Sequence, residues 1–178
     1  MPEAWKIANV PGPERAVVIA DPARIVTMIR EAKRPLLVVG HQAIEMKAGN
    51  QGLIKLITEM AEMKITIVAT AHTVKAFITE GYHPAAWMGV VDLTNRFSDL
   101  TWTGFDGKGS YDLIMFIGIP YYLQSQMLST LKHFAPDLLT VSLDRHYHPN
   151  ADWSFPNLSE EEWQTSIEKI VKELQGQG

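Results

Sequence analysis

Two stretches of this chain are apolar without interruption and end in glycine. They are Pro35-Leu36-Leu37-Val38-Val39-Gly40 and Leu113-Ile114-Met115-Phe116-Ile117-Gly118. Neither shows the apolar–polar alternation of a strand with one wet face. A strand that is apolar throughout is covered on both faces, as in a parallel sheet between helix layers. Three further stretches fit the same sheet: Ile65 to Ala69, rich in β-branched residues, Ala85 to Met88, and Leu138 to Leu143, which ends at Asp144.

Between the strands the period changes to that of a helix. Asp21-Pro22 opens a helix with Ile25, Met28, Ile29 and Ala32 on one side, and Pro35 ends it. A long loop from His41 to Gly49 precedes a helix over Asn50 to Met63, with Leu53, Ile57 and Met60 inward. Shorter helices are predicted over Val74 to Thr79, closed by Gly81, and from Gly89 to Phe97. Another starts at Pro120, with Leu123, Met127, Leu131 and Phe134 on one face. The last helix has the clearest start. Ser159 and Glu162 fit a capping box, and Leu158 with Trp163 fits the hydrophobic staple around it. Trp163, Ile167, Ile170, Val171 and Leu174 form its stripe.

Three segments resist this reading. Pro11-Gly12-Pro13 is a turn or a break. Ala16 to Ile19 is a short strand or an apolar lead-in. Arg145 to Asn157 reads as irregular, with Trp153 and Phe155 as anchors. Thr101 to Gly109 is polar and glycine-rich, so an exposed loop is expected there.

Alternating strands and helices predict right-handed crossovers and an α/β fold. The expected architecture is a three-layer, Rossmann-like parallel sheet in the order 3-2-1-4-5. A single domain spans 1–178, with the N-terminal segment and C-terminal helix packed on the core. In that order Gly40 and Gly118 flank the topological switch point, where open α/β sheets bind ligands.

The composition narrows the function. The chain has 178 residues, 46% of them apolar and 20% charged, and a net charge of −4. That balance gives no electrostatic case for nucleic acid or an anionic membrane. No apolar run approaches the roughly 20 residues of a membrane span. Met1 to Val10 lacks the apolar core of a signal peptide, so a cytoplasmic location is expected. Cysteine is absent, which excludes disulfides, thiolate zinc sites, cysteine nucleophiles and conventional iron–sulfur clusters held by this chain alone.

Candidate chemistry is sparse. Gly40 and Gly118 would let a cofactor's phosphate approach the backbone, or they simply stop strands. No G-x-G-x-x-G follows the first strand, so ordinary dinucleotide binding is unsupported. Gly104 to Gly109 fails the phosphate-loop spacing and precedes a strand. His146 and His148 have the spacing of a metal-binding pair, but no third ligand is evident and a structural or solvated pair is the better reading. His41 and His72 follow strands and are the acid–base candidates of an independent enzyme. No G-x-S-x-G elbow points to a triad. Tyr82, Trp87, Met88, Trp102 and Phe105 are either core or an apolar contact surface.

The run Ala32 to Gly40, the sequence Gly81-Tyr82-His83-Pro84 and the strand Tyr111 to Gly118 resemble a known family. It is that of the epsilon subunit of the archaeal carbon monoxide dehydrogenase/acetyl-CoA decarbonylase/synthase complex, and the resemblance covers nearly the whole chain. It implies a fold of the deoxyhypusine synthase-like NAD/FAD-binding type. The implied partner is the large alpha subunit in an α2ε2 assembly, which carries the nickel–iron–sulfur clusters, and contacts between copies of the chain are implied too. The implied roles are a non-catalytic stabilising subunit or, alternatively, a flavin (FAD)-binding electron-transfer module. By strand position, the resemblance places a cofactor at Gly40, His41 and Gln42, at Thr70 and Ala71, at Gly118, Ile119 and Pro120, and at Asp144. No catalytic residue and no metal ligand is implied on this chain.

Overall fold

A computed structural model describes residues 15–176. The expected turn at Pro11-Gly12-Pro13 lies outside them. The two apolar runs are neighbouring central strands, β2 (Pro35–Val39) and β7 (Leu113–Ile117), paired in parallel with Leu36 opposite Ile114 and Val39 opposite Ile117. Every residue of both is buried, as the lack of polar alternation requires. β5 (Thr66–Ala69) and then β6 (Ala86–Trp87) lie beyond β2, and β8 (Leu139–Ser142) lies beyond β7. The five strands read from the sequence stand in the expected order.

Two more strands extend the sheet past β8, giving seven among the described residues, every pair parallel. β9 (Trp153–Ser154) pairs with β8, and β1 (Val17–Val18) pairs with β9 at the edge. Each has only two residues, too few for a period, and each is held by side chains. The Asp152 carboxylate accepts from the Thr140 N–H and hydroxyl, both at 2.8 Å. The Tyr147 hydroxyl accepts the Ala16 N–H at 2.8 Å and donates to the Ala16 carbonyl at 2.9 Å. The segment expected to be irregular is therefore partly sheet.

The helices divide between the two faces because successive strand side chains point to opposite sides. Leu37 and Val39 face one core with α1 (Ala23–Glu31), α2 (Leu53–Ala61), α3 (Val74–Thr79) and α6 (Glu160–Gln175). Leu36 and Val38 face the other with α4 (Val90–Phe97) and α5 (Tyr121–Phe134). The result is a three-layer α/β fold.

Local departures have local causes. α2 starts at Leu53 rather than Asn50, because β3 (Lys47–Ala48) and β4 (Gln51–Gly52) form a small hairpin. Gly49, with φ +59°, takes the first central position of its turn. On α5 the inward face is Gln124, Met127, Leu128 and Leu131. Ala135 takes the next core position while Phe134 is 66% exposed. The Thr101–Gly109 loop is anchored rather than free. The Arg34 guanidinium pairs with Asp106 at 2.6 Å and lies over the Tyr111 ring, and Trp102 packs edge-on against Phe105.

α6 begins as its sequence requires. The Ser159 N–H donates to Glu162 Oε2 (2.9 Å), and the Glu162 N–H donates to Ser159 Oγ (3.3 Å). One turn in, the buried Trp163 indole N–H donates to the Leu143 carbonyl at 2.7 Å, tying α6 to the end of β8. Trp163→Phe strands that carbonyl in the core and is expected to cost about 1–3 kcal/mol. Ser159→Ala removes one exposed cap, at about 1 kcal/mol. Urea unfolding midpoints of the two variants check this order.

Candidate functional site

Two turns meet at the carboxyl edge of the sheet, one after β2 and one after β7. The Gly40 N–H donates to the Ile117 carbonyl (2.8 Å), and the Gln42 N–H donates to the Gly118 carbonyl (3.0 Å). From Gly40 the chain enters a short 3-10 turn, His41–Ile44, with Ala43 buried beneath it. A Cβ on Gly40 would collide with the Gly118 carbonyl and stand 2.7 Å from Ile119 Cα. A Cβ on Gly118 would stand 2.6 Å from the Ala43 nitrogen. Gly118 also has φ +71°, a region that penalises any residue with a Cβ. The missing side chains of these two glycines make room for each other's backbone.

Asp144 continues this joint from the end of β8. Its Oδ1 accepts the Gly118 N–H at 2.8 Å. Its Oδ2 is sealed from solvent without a hydrogen-bond partner among the described residues. Burial pushes the carboxyl up to about 7, against smaller opposing effects of the Gly118 N–H and the Gln124 amide.

A cleft of about 640 Å³ opens beside the joint, with His41, Gln42, Ile119, Tyr121, Asp144 and His146 in its wall. Tyr121 stacks on the His148 ring at 4.1 Å between centroids, and its hydroxyl donates to the Tyr147 carbonyl (3.0 Å). His148 is buried; burial first, then the nearby His146, lowers it to about 4, so it is uncharged at neutral pH. His146 is exposed. Among the described residues no group of three or more histidine, aspartate or glutamate side chains is placed to hold a metal.

The structure thus brings His41, Gln42, Ile119 and Asp144 to one cleft, with Gly40 and Gly118 in the joint next to it. Pro120 caps α5. Thr70 and Ala71 follow β5, outside the cleft wall. Thr70 N–H donates to the Val39 carbonyl (2.9 Å), and its hydroxyl meets that of Thr73 at 3.0 Å. The exposed His72 lies on the same turn. The suggested aromatic cluster is divided: Tyr82 packs on one side of the sheet, Met88, Trp102 and Phe105 pack on the other, and Trp87 is 62% exposed. Gln124 and Tyr121 were not among the expected site residues. The signal for Gln124 is a glutamine at the head of the Met127, Leu128, Leu131 stripe, where an apolar residue belongs.

The sequence pattern of the family described as CO dehydrogenase beta subunit/acetyl-CoA synthase epsilon subunit matches residues 1–171. This chain belongs to that family. A protein of Methanothrix soehngenii named acetyl-CoA decarbonylase/synthase complex subunit epsilon is 41% identical over 175 residues, covering 96% of this chain and 90% of its own. One of the same name from Methanothermobacter thermautotrophicus is 38% identical over 169 residues, covering 95% and 94%. Another, from Methanocaldococcus jannaschii, is 30% identical over 154 residues, covering 86% of each chain. Among the described residues of this family member, no helix is long and apolar enough to cross a membrane.

The flavin suggested by the fold resemblance needs a cradle for its phosphates. Gly40 and Gly118 do not provide one, because the space beside each is filled by backbone. The joint is therefore expected to respond to substitution as a packing site. Gly118→Ala combines left-handed strain with overlap on Ala43, and is expected to lower the unfolding free energy by about 2–5 kcal/mol. Chemical denaturation of ligand-free protein checks this.

Proposed function

We propose that this chain is a non-catalytic subunit of an acetyl-CoA decarbonylase/synthase complex. It stabilises the carbon monoxide dehydrogenase component by binding the large nickel–iron–sulfur subunit in an α2ε2 assembly. The observation that carries the proposal is similarity along nearly the whole chain to proteins named as the epsilon subunit of that complex. The residues are consistent with it. With no cysteine, the chain supplies no thiolate for the clusters, which the proposal leaves to the large subunit. His41 and His72, each a candidate acid–base group, are exposed on separate turns.

Mixing the chain with the purified large subunit tests this. A complex of equal stoichiometry by light scattering is expected, with slower thermal loss of carbon monoxide oxidation than the large subunit shows alone. Absence of a complex contradicts the proposal, as does a complex with unchanged inactivation.

One observation favours the second reading, a flavin-binding electron-transfer module of the deoxyhypusine synthase-like fold type. The cleft at the switch point has room for part of a cofactor. Such a ligand would lie against His41, Gln42 and Ile119, outside the Gly40–Gly118 joint. Titration of the chain, alone and in the assembly, with FAD separates the readings. The stabilising role predicts no saturable binding, and saturable binding lost in Gln42→Trp would establish the module.

A further inference from the structure

Ser142 and Asp144 are two residues apart at the end of β8, so their side chains share one face, and Gln124 of α5 reaches both. The Gln124 Nε2 donates to Ser142 Oγ at 2.9 Å, and its amide also lies beside the Asp144 carboxyl. Two oxygens of this cluster, Gln124 Oε1 and Asp144 Oδ2, are sealed from solvent with no hydrogen-bond partner among the described residues. Both are acceptors if Asp144 is ionised, and buried acceptors need a donor. One added proton on Asp144, or a turn of the Gln124 amide, would give both a partner.

We propose that Asp144, Gln124 and Ser142 form a built-in proton-binding site, in which Asp144 Oδ2 carries a proton and donates it to Gln124 Oε1. When that proton passes to solvent, the Gln124 amide turns over. Its Nε2 then donates to the Asp144 carboxylate, and its Oε1 accepts from the Ser142 hydroxyl. Either state gives both of these oxygens a hydrogen-bond partner, so the site has two hydrogen-bonding arrangements.

The surroundings place the exchange near neutral pH. Burial pushes Asp144 up to about 7, and the groups that oppose it are neutral donors rather than cations. His41 and Glu45 face the cleft from the 3-10 turn, Tyr121 from α5 and Glu160 from α6. Arg145, His146 and His148 face it from the segment after β8. Because Asp144 Oδ1 also holds the Gly118 N–H, the state of the proton is felt at the joint between the β2 and β7 turns.

The sign of the pH dependence follows. Below about pH 4 Asp144 is protonated in both the folded and unfolded chain. Between about 4 and 7 only the folded chain keeps the proton, so stability falls as pH rises through that window and levels off above it.

The test is carbon-13 carboxyl NMR of the full chain labelled at aspartate, with Asp144 assigned through its own backbone. The expected result is an Asp144 midpoint about three pH units above the usual aspartate value near 3.9. The Gln124 side-chain amide resonances are expected to shift with the same midpoint, because the amide turns over with the proton. Asp144→Asn mimics the protonated acid, and its melting temperature is expected to lose the decline that the wild type shows between about pH 4 and 7. An Asp144 midpoint in the ordinary range overturns the proposal. So does a Gln124 side-chain amide unmoved through that midpoint, or an unchanged pH slope in Asp144→Asn.

Discussion

The turns after β2 and β7 approach so closely that neither Gly40 nor Gly118 has room for a side chain. Both strands are fully buried and lie side by side at the middle of the sheet. Their connections must leave the carboxyl edge in different directions, one toward each helix layer. Two backbone hydrogen bonds, Gly40 to Ile117 and Gln42 to Gly118, let the turns cross in contact. The rest of the fold hangs on that contact. It sets where the 3-10 turn begins, where α5 starts, and which side chains border the cleft.

Asp144 extends the joint to a third strand. An ionised carboxylate with one oxygen sealed from solvent is costly unless its charge is compensated. The fold gives Asp144 one backbone donor, the Gly118 N–H, and leaves its Oδ2 without a partner among the described residues. The same burial that fixes the Gly118 loop therefore makes the carboxyl sensitive to pH near neutrality. Structural anchoring and proton affinity arise here from a single side chain, a few ångströms from the wall of a cleft.

The central strands were legible because their signal is local: uninterrupted apolar residues, a stopping glycine, and helices with caps and stripes between them. The edge was not. β1 and β9 form because Tyr147 reaches Ala16 and Asp152 reaches Thr140, contacts between residues distant in sequence or lying in an irregular segment. The candidate site was half legible. A glycine at the end of a buried strand announces that space is needed, and the sequence does not say for what. At Gly40 and Gly118 the answer is neighbouring backbone. Asp144 was implied by the family resemblance, carried over by strand position, while Gln124 was concealed in a stripe that otherwise looks apolar. Family membership came from the order of several unexceptional stretches, none of which carries chemistry of its own.

Native-state hydrogen exchange at the Gln42 and Gly118 amides tests most directly whether the turn crossing is the joint that holds this fold. If it is, both amides exchange only through global unfolding, with free energies equal to that of the central strands. Exchange of either amide through local opening, well before Val38 or Phe116, would show that the turns separate freely and that the sheet stands without them.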